Sequence, residues 1–214
     1  MNAKTDTTIY ESHRGWYIAS LVVAIIALSG ATALAVRSTH AVPNWEATIF
    51  HHINDWPASL KTAGLAITVV GGSVWAALAS IAIATIARFY RLAWRLAAVI
   101  IGGYGMDFIL KELVHRGRPA DLLADFHRYS VETGAGFPSG HTTIATVISL
   151  TLLPYLPKAW RWLPIVWIGL VAMSRVYLGV HLPLDVFGGF LVGLFVVSLT
   201  RILPQSLRVF LRLD

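Results

Sequence analysis

Long uncharged apolar runs alternate with short basic turns along this chain, a pattern that predicts membrane-crossing helices. Residues 15 to 36, between Arg14 and Arg37, carry no charged side chain. At about 1.5 Å per residue, a helix of that length crosses a hydrocarbon core of roughly 30 Å. A cleaved signal peptide is the alternative, because Ala33-Leu34-Ala35 resembles a cleavage site. Asp6, Glu11 and the length of the run favour a retained helix, and either way residue 38 onward is expected on the outer side. Residues 38 to 60 mix Asn44, Glu46 and Asp55 with Trp45, Ile49, Phe50, Ile53 and Trp56. The apolar positions recur every three or four residues, which predicts an amphipathic helix lying at the outer interface, its tryptophans at headgroup depth. His51 and His52 are adjacent and cannot face one ligand from the same helix side, so a solvated role is expected for them.

The remaining pattern supplies five more spans. Thr62 to Ala87 is uncharged but interrupted by Gly71-Gly72, so a span is expected from Ser73 to Arg88, with 58 to 70 packed ahead of it. A basic turn follows over 88–95, then a span over 96–113 whose outer half carries Asp107, Lys111 and Glu112. Residues 114 to 138 are polar, rich in charge and contain Gly and Pro, which reads as a loop. Further spans are expected over 140–156, 162–178 and 183–203. The expected fold is therefore all-α: a polytopic membrane bundle of six transmembrane helices with an outer amphipathic segment. It forms one domain over 1–214, with its core at about 70–203.

Composition and charge narrow the function. Of 214 residues, 56% are hydrophobic and 13% charged, against about 25% charged in soluble domains. There is no cysteine, which removes disulfides and thiolate chemistry. The net charge of +6 does not form a patch interleaved with aromatics, so nucleic acid is not an expected partner. Lys4, Arg14, Arg88, Arg91, Arg95, Lys158, Arg161, Arg201, Arg208 and Arg212 instead fall on one side of the six-span topology. That side should be cytoplasmic, with both termini on it, and the opposite junctions should face outward.

Those outer junctions carry the candidate chemistry. Ser139-Gly140-His141 opens a helix, with Ser139 at a favoured N-cap position and free backbone N–H groups suited to an anion. Gly140 lets the backbone approach a phosphate closely. Arg175 ends one helix and His181 precedes the next, with Gly179 allowing the reversal and Pro183 at the helix start. Asp185 can accept a hydrogen bond from one ring nitrogen of His181, leaving the other nitrogen free as a nucleophile. Lys111 lies one turn after Asp107, a spacing that allows either a salt-bridged pair or a lysine facing an anion. Arg118 precedes Pro119 and is pushed to an extended conformation, its fork free for two phosphate oxygens. His115, Arg116, His127 and Arg128 read as solvated loop residues or supporting substrate contacts. Buried charge of this density in a membrane is costly without a task. An ion-coupled transporter would usually show broken helices meeting at mid-membrane, whereas these residues gather at one boundary.

The three stretches resemble the type 2 phosphatidic acid phosphatase family, whose site is shared with vanadium haloperoxidases. The pattern is Lys111 and Arg118-Pro119 six residues apart, then Pro138-Ser139-Gly140-His141. Ser174-Arg175, five residues, His181, three residues and Asp185 complete it. The resemblance covers about residues 70 to 203 and departs at no catalytic position. It implies a metal-independent phosphatase without cofactor that works through a phosphohistidine. Lys111, Arg118, Ser139, Gly140 and Arg175 would bind the phosphate, and His181, oriented by Asp185, would attack it. His141 would protonate the leaving oxygen. The implied partner is a membrane lipid phosphate or diphosphate: undecaprenyl diphosphate, phosphatidylglycerol phosphate or phosphatidic acid. The implied setting is a bacterial inner membrane, with the site on the periplasmic or extracellular side. A lipid phosphotransferase or a transporter with a vestigial site are the competing readings. Release of inorganic phosphate without an acceptor separates hydrolysis from transfer.

Overall fold

The computed structural model describes residues 3–203, with side chains from residue 15 onward. The side chains of Lys4, Asp6, Glu11 and Arg14, and the tail with Arg208 and Arg212, lie outside it. Among the described residues all regular structure is helical. Helix α1 (Ala3–Arg37) is followed by α2 (Asn44–Asn54), α3 (Lys61–Gly72), α4 (Val74–Ile86) and α5 (Tyr90–Val114). Then come α6 (Pro119–Leu122), α7 (Gly140–Leu152), α8 (Leu163–Tyr177) and α9 (Pro183–Ile202).

Helix α7 is the axis of the bundle, packed against α3, α5, α8 and α9. Its residues Thr142 to Val147 are buried in succession, so every face of the helix meets protein and none meets lipid. Helix α1 lies along α9, burying Ala24, Leu28, Ala31 and Ala35, and the Ser20 and Ser198 hydroxyls hydrogen-bond at 2.9 Å. The outward faces of α1, α4 and α5 expose Ile26, Ile86, Ile101 and Leu113, the inside-out arrangement that lipid permits.

Two expectations change. Gly15–Arg37 and Pro183–Ile202 are each long and apolar enough to cross a membrane, and Ala58–Gly72 with Val74–Ile86 make a pair bent by 49°. Six spans are therefore not established by length and apolarity. Helices α7 and α8 have 13 and 15 residues, about 20 Å of rise, and α5 is interrupted by charge. The basic turn is shorter than expected, because α5 begins at Tyr90 and takes Arg91 and Arg95 into its first turns. The inward side of α2, which the apolar pattern left undefined, is partly polar. Trp45 and Ile49 are exposed, and the buried stripe is Glu46, Phe50 and Asn54. Both polar members of that stripe are tied to other segments. Asn54 Nδ2 donates to the carbonyls of His127 and Tyr177 at 2.8 and 2.9 Å, and its Oδ1 accepts from His127 N at 2.7 Å. Hydrogen bonding, not greasy periodicity, sets which face of α2 is buried.

Candidate active site

Four helix ends and one long loop meet at the same end of the bundle. Lys111 lies in the last turn of α5, His141 in the first turn of α7, Arg175 in the last turn of α8, and Asp185 in the first turn of α9. The backbone ties two of these ends directly, because Ser139 N donates to the Asp185 carbonyl at 2.9 Å. Gly179 has φ +72° and turns the chain between α8 and α9, placing His181 just before Pro183 at the start of α9. From below, the break between α3 and α4 presses on α7. A Cβ on Gly72 would lie 2.3 Å from the His141 carbonyl oxygen, so only glycine permits that approach.

A cavity of about 220 Å³ opens there, lined among others by Lys111, Arg118, Gly140, His141 and His181. Arg118 is extended, with φ −83° and ψ 169°. Its Nε donates to the Gly134 carbonyl at 2.9 Å and its Nη1 to the Val180 carbonyl at 2.9 Å, which fixes the fork beside His181 Nε2, 3.4 Å away. Arg175 is 1% exposed and points at the same place.

A residue that spacing did not reveal occupies the centre. The Glu132 carboxylate, from the 114–139 loop, pairs with Arg118 Nη1 at 3.0 Å and more closely still with Arg175. His181 Nε2 is 3.8 Å from it and His141 Nδ1 is 4.0 Å. The Glu132 carboxylate is thus an anion held between two guanidinium groups with both imidazoles close by. Burial pushes its carboxyl up. Arg175, His181, the hydrogen bond from Arg175 and His141 outweigh that and bring the pKa down to about 2. Nothing in its sequence neighbourhood separates Glu132 from Asp121 or Asp125 of the same loop.

His181 is 1% exposed. Burial, then the nearby Arg175 and Arg118 guanidinium groups, drive its pKa well below the ordinary imidazole value, with Glu132 pulling the other way and Lys111 adding to the fall. Its ring is therefore neutral, with Nε2 toward the cavity and Nδ1 toward Asp185. The expected hydrogen bond between Nδ1 and Asp185 is not closed. The Nδ1–Oδ2 separation is 3.5 Å and Nδ1 has no hydrogen-bond partner, while Oδ2 accepts from Leu182 N at 2.8 Å.

Three further expectations are corrected. Ser139 is the N-cap of α7, but its side chain makes no capping bond and instead faces the Thr142 hydroxyl at 3.3 Å. Lys111 forms no ion pair with Asp107 within 4.0 Å. Asp107 Oδ1 accepts from the Thr143 hydroxyl at 2.9 Å, and its Oδ2 is buried without a partner. Arg116 is not solvated at all. Its guanidinium is fully buried, pairing with Asp185 Oδ1 at 2.8 Å and with both oxygens of Glu46 at 3.1 and 2.5 Å. His115 and His127, by contrast, are largely exposed. Among the described residues no three His, Asp or Glu side chains are grouped to hold a metal ion.

The sequence profile of the PAP2 superfamily matches residues 92–208, more than half of the chain. The chain belongs to the PAP2 superfamily. Phosphatidylglycerophosphatase B of Bacillus subtilis (strain 168) is 35% identical over 135 residues, 57% of this chain and 64% of that protein. An undecaprenyl-diphosphatase of Sulfolobus acidocaldarius is 50% identical over 62 residues, 28% of this chain and 30% of that one. The chain thus spans less than two thirds of the length of the curated relatives it matches. Among solved structures, Aquifex aeolicus LpxE superposes with a TM-score of 0.68 at 25% identity, covering 74% of this chain and 95% of that one. The transmembrane PAP2-type phosphatidylglycerolphosphate phosphatase of Bacillus subtilis gives 0.64 at 29% identity, covering 81% and 92%. With helices long and apolar enough to cross a bilayer, this PAP2 chain is an integral membrane protein.

Proposed function

We propose that the protein hydrolyses a lipid phosphate or diphosphate through a phosphohistidine. One observation carries this reading: Glu132 is held as an anion by Arg118 and Arg175, with two imidazoles within 4.0 Å of its carboxylate. The substrate phosphate displaces Glu132 and takes the cations Arg118, Arg175 and Lys111, with Ser139 and the Gly140 amide adding hydrogen bonds. The Nε2 lone pair of neutral His181 forms the P–N bond. The P–O electrons leave on the ester oxygen, which takes a proton from His141. Water then gives a proton to His141 and attacks phosphorus, breaking the P–N bond and freeing inorganic phosphate. Phosphoryl transfer asks mainly for positioning and charge stabilisation, which fixed cations supply.

A site at the end of an apolar bundle favours a substrate whose tail stays in the bilayer. Phosphatidylglycerol phosphate and undecaprenyl diphosphate, named for the relatives, lead the candidates, with phosphatidic acid third. The basic ends around Arg88 and Arg161 support a reading in which the site lies on the outer side of a bacterial inner membrane. Purified protein given each lipid should release inorganic phosphate without an added acceptor, and acid-labile phosphate should be trapped on the enzyme. His181→Gln should abolish both. Wild-type rates in that variant would refute the nucleophile assignment.

A further inference from the structure

Behind His181 lies a second group of charges that the proposed chemistry does not use. Glu46 comes from α2, outside the residues matched by the family profile, and is 0% exposed. Its Oε1 accepts from the backbone N–H of Leu184 at 2.8 Å, in the first turn of α9. Both its oxygens face Arg116, whose Nη1 goes on to Asp185 Oδ1. Arg116 is anchored from behind by its Nε, which donates to the Ser38 carbonyl at 3.4 Å. Burial pulls the Arg116 guanidinium down, but Asp185 and then Glu46 outweigh it and hold its pKa above the ordinary value. The chain Glu46–Arg116–Asp185 is continuous and fully buried, and it ends 3.5 Å short of His181 Nδ1, a gap that a small shift of the ring closes.

We propose that Glu46 and Arg116 are positioning residues for the His181 nucleophile. They hold Asp185 in place through its ion pair with Arg116 and, with both carboxylates charged, leave one surplus negative charge behind the ring. This rests on the proposed function, and the charges balance within it. Glu46 and Asp185 carry one negative charge each and Arg116 one positive, leaving −1. His181 is neutral before attack. When its Nε2 lone pair bonds to phosphorus and Nδ1 keeps its proton, the ring carries +1, which the surplus matches. The positive surplus on the other side of the ring opposes that charge, so without the negative cluster the phosphohistidine would be disfavoured. A purely structural strap would show the loss of that charge in stability and leave the acid limb and the vanadate affinity unmoved.

The test changes charge while keeping shape. In Glu46→Gln the amide oxygen can still accept from Leu184 N and Arg116 Nη1, while the amide nitrogen takes the place of Oε2 and can no longer accept from Arg116 Nη2. Its kcat should fall about 10- to 100-fold, the range seen when an outer partner of a site residue is lost, with KM within about twofold. The acid limb of kcat/KM should move to lower pH. The groups facing His181 are Asp185 on α9, Arg175 on α8, Lys111 on α5, His141 on α7, and Arg118 and Glu132 on the loop. Only the cluster behind Asp185 changes in the variant. Glu46→Asp, which keeps the charge at a shorter reach, should restore the wild-type limb. Orthovanadate, which takes an imidazole nitrogen as a fifth ligand and mimics the transition state, should bind Glu46→Gln about tenfold more weakly. Inorganic phosphate, held by the cations alone, should bind both proteins within about twofold. Wild-type kcat, limb and vanadate affinity in Glu46→Gln would overturn the proposal, as would a loss confined to KM with the limb unmoved. If the wild type releases no phosphate from any lipid yet the vanadate and phosphate affinities split as stated, the hydrolase reading fails and the positioning stands.

Discussion

Two groups of charge lie on opposite sides of one imidazole and differ in sign, solvation and connectivity. In the cavity, Lys111, Arg118 and Arg175 exceed Glu132 by two positive charges, and the groups are partly open to water. Behind His181, Glu46 and Asp185 exceed Arg116 by one negative charge, and all three side chains are 0% exposed. The open cluster is unfinished without an incoming anion, while the closed cluster has fixed partners within the fold. Charge that is incomplete in the resting protein belongs to the ligand. Charge that is complete and dry belongs to the scaffold, and its mutation should be felt first in stability.

The sharpest way to break that distinction is Arg116→Met. It leaves two buried carboxylates facing each other without a cation, and breaking such a pair costs about 3–5 kcal/mol. The thermal midpoint in detergent should fall steeply. Adding Glu46→Gln to Arg116→Met should recover part of the loss, because the two sites share one network. If Arg116→Met melts with the wild type, the dry cluster is not part of the scaffold. Arg175→Met should show the reverse signature. Losing one phosphate donor should lower kcat/KM by about 100- to 1000-fold, while the thermal midpoint stays put or rises as positive surplus is relieved.

The two clusters were unequally legible in the sequence, and the reason is physical. Lys111, Arg118, Ser139, Gly140, His141, Arg175, His181 and Asp185 sit at helix ends, where Pro119, Pro183 and Gly179 fix the local backbone. Spacing could therefore name the residues that line or border one cavity. Glu46, Arg116 and Glu132 are brought in by tertiary contacts alone. Arg116 reaches its partners across 69 and 70 residues of chain, and no periodicity records such a pairing. In α2 the apolar pattern says nothing of the inward side, where Glu46 and Asn54 are buried because they satisfy backbone and charge elsewhere. The all-helical character and the order of the helices followed from hydropathy. The number of spans did not, because α5 carries charge and α7 is wrapped in protein instead of lipid.

The pH profile sets the two clusters against each other with opposite signs. As the proposed nucleophile His181 must be neutral to attack, and its pKa lies well below the usual imidazole value. Activity should therefore persist as pH falls through about 6.5, the ordinary imidazole pKa, and be lost only further down, where the ring takes a proton. Arg118→Gln removes a cation from the cavity and should move that acid limb upward. Glu46→Gln removes an anion from behind and should move it downward. Limbs that moved in the same direction would mean that His181 does not sense the two fields separately. A limb at or above 6.5 in the wild type would mean that another group is being titrated.

The smallest effect concerns Glu132, the anion that fills the cavity before any substrate arrives. A resting carboxylate competes with phosphate for Arg118 and Arg175, so its neutralisation should strengthen anion binding. Glu132 is 27% exposed at its side chain, and a partly solvated pair of this kind is worth at most about 1 kcal/mol. Glu132→Gln should therefore lower the inhibition constant of inorganic phosphate by no more than about fivefold. Since the pKa of Glu132 is about 2, the carboxylate stays ionised through any working pH. The gain should be the same at pH 5 and pH 8 once phosphate ionisation is allowed for. A gain that vanished in acid would mean that Glu132 is already protonated there and does not rest between the two guanidinium groups. Weaker phosphate binding in Glu132→Gln would mean instead that the carboxylate aligns Arg118 and Arg175 and moves aside without competing.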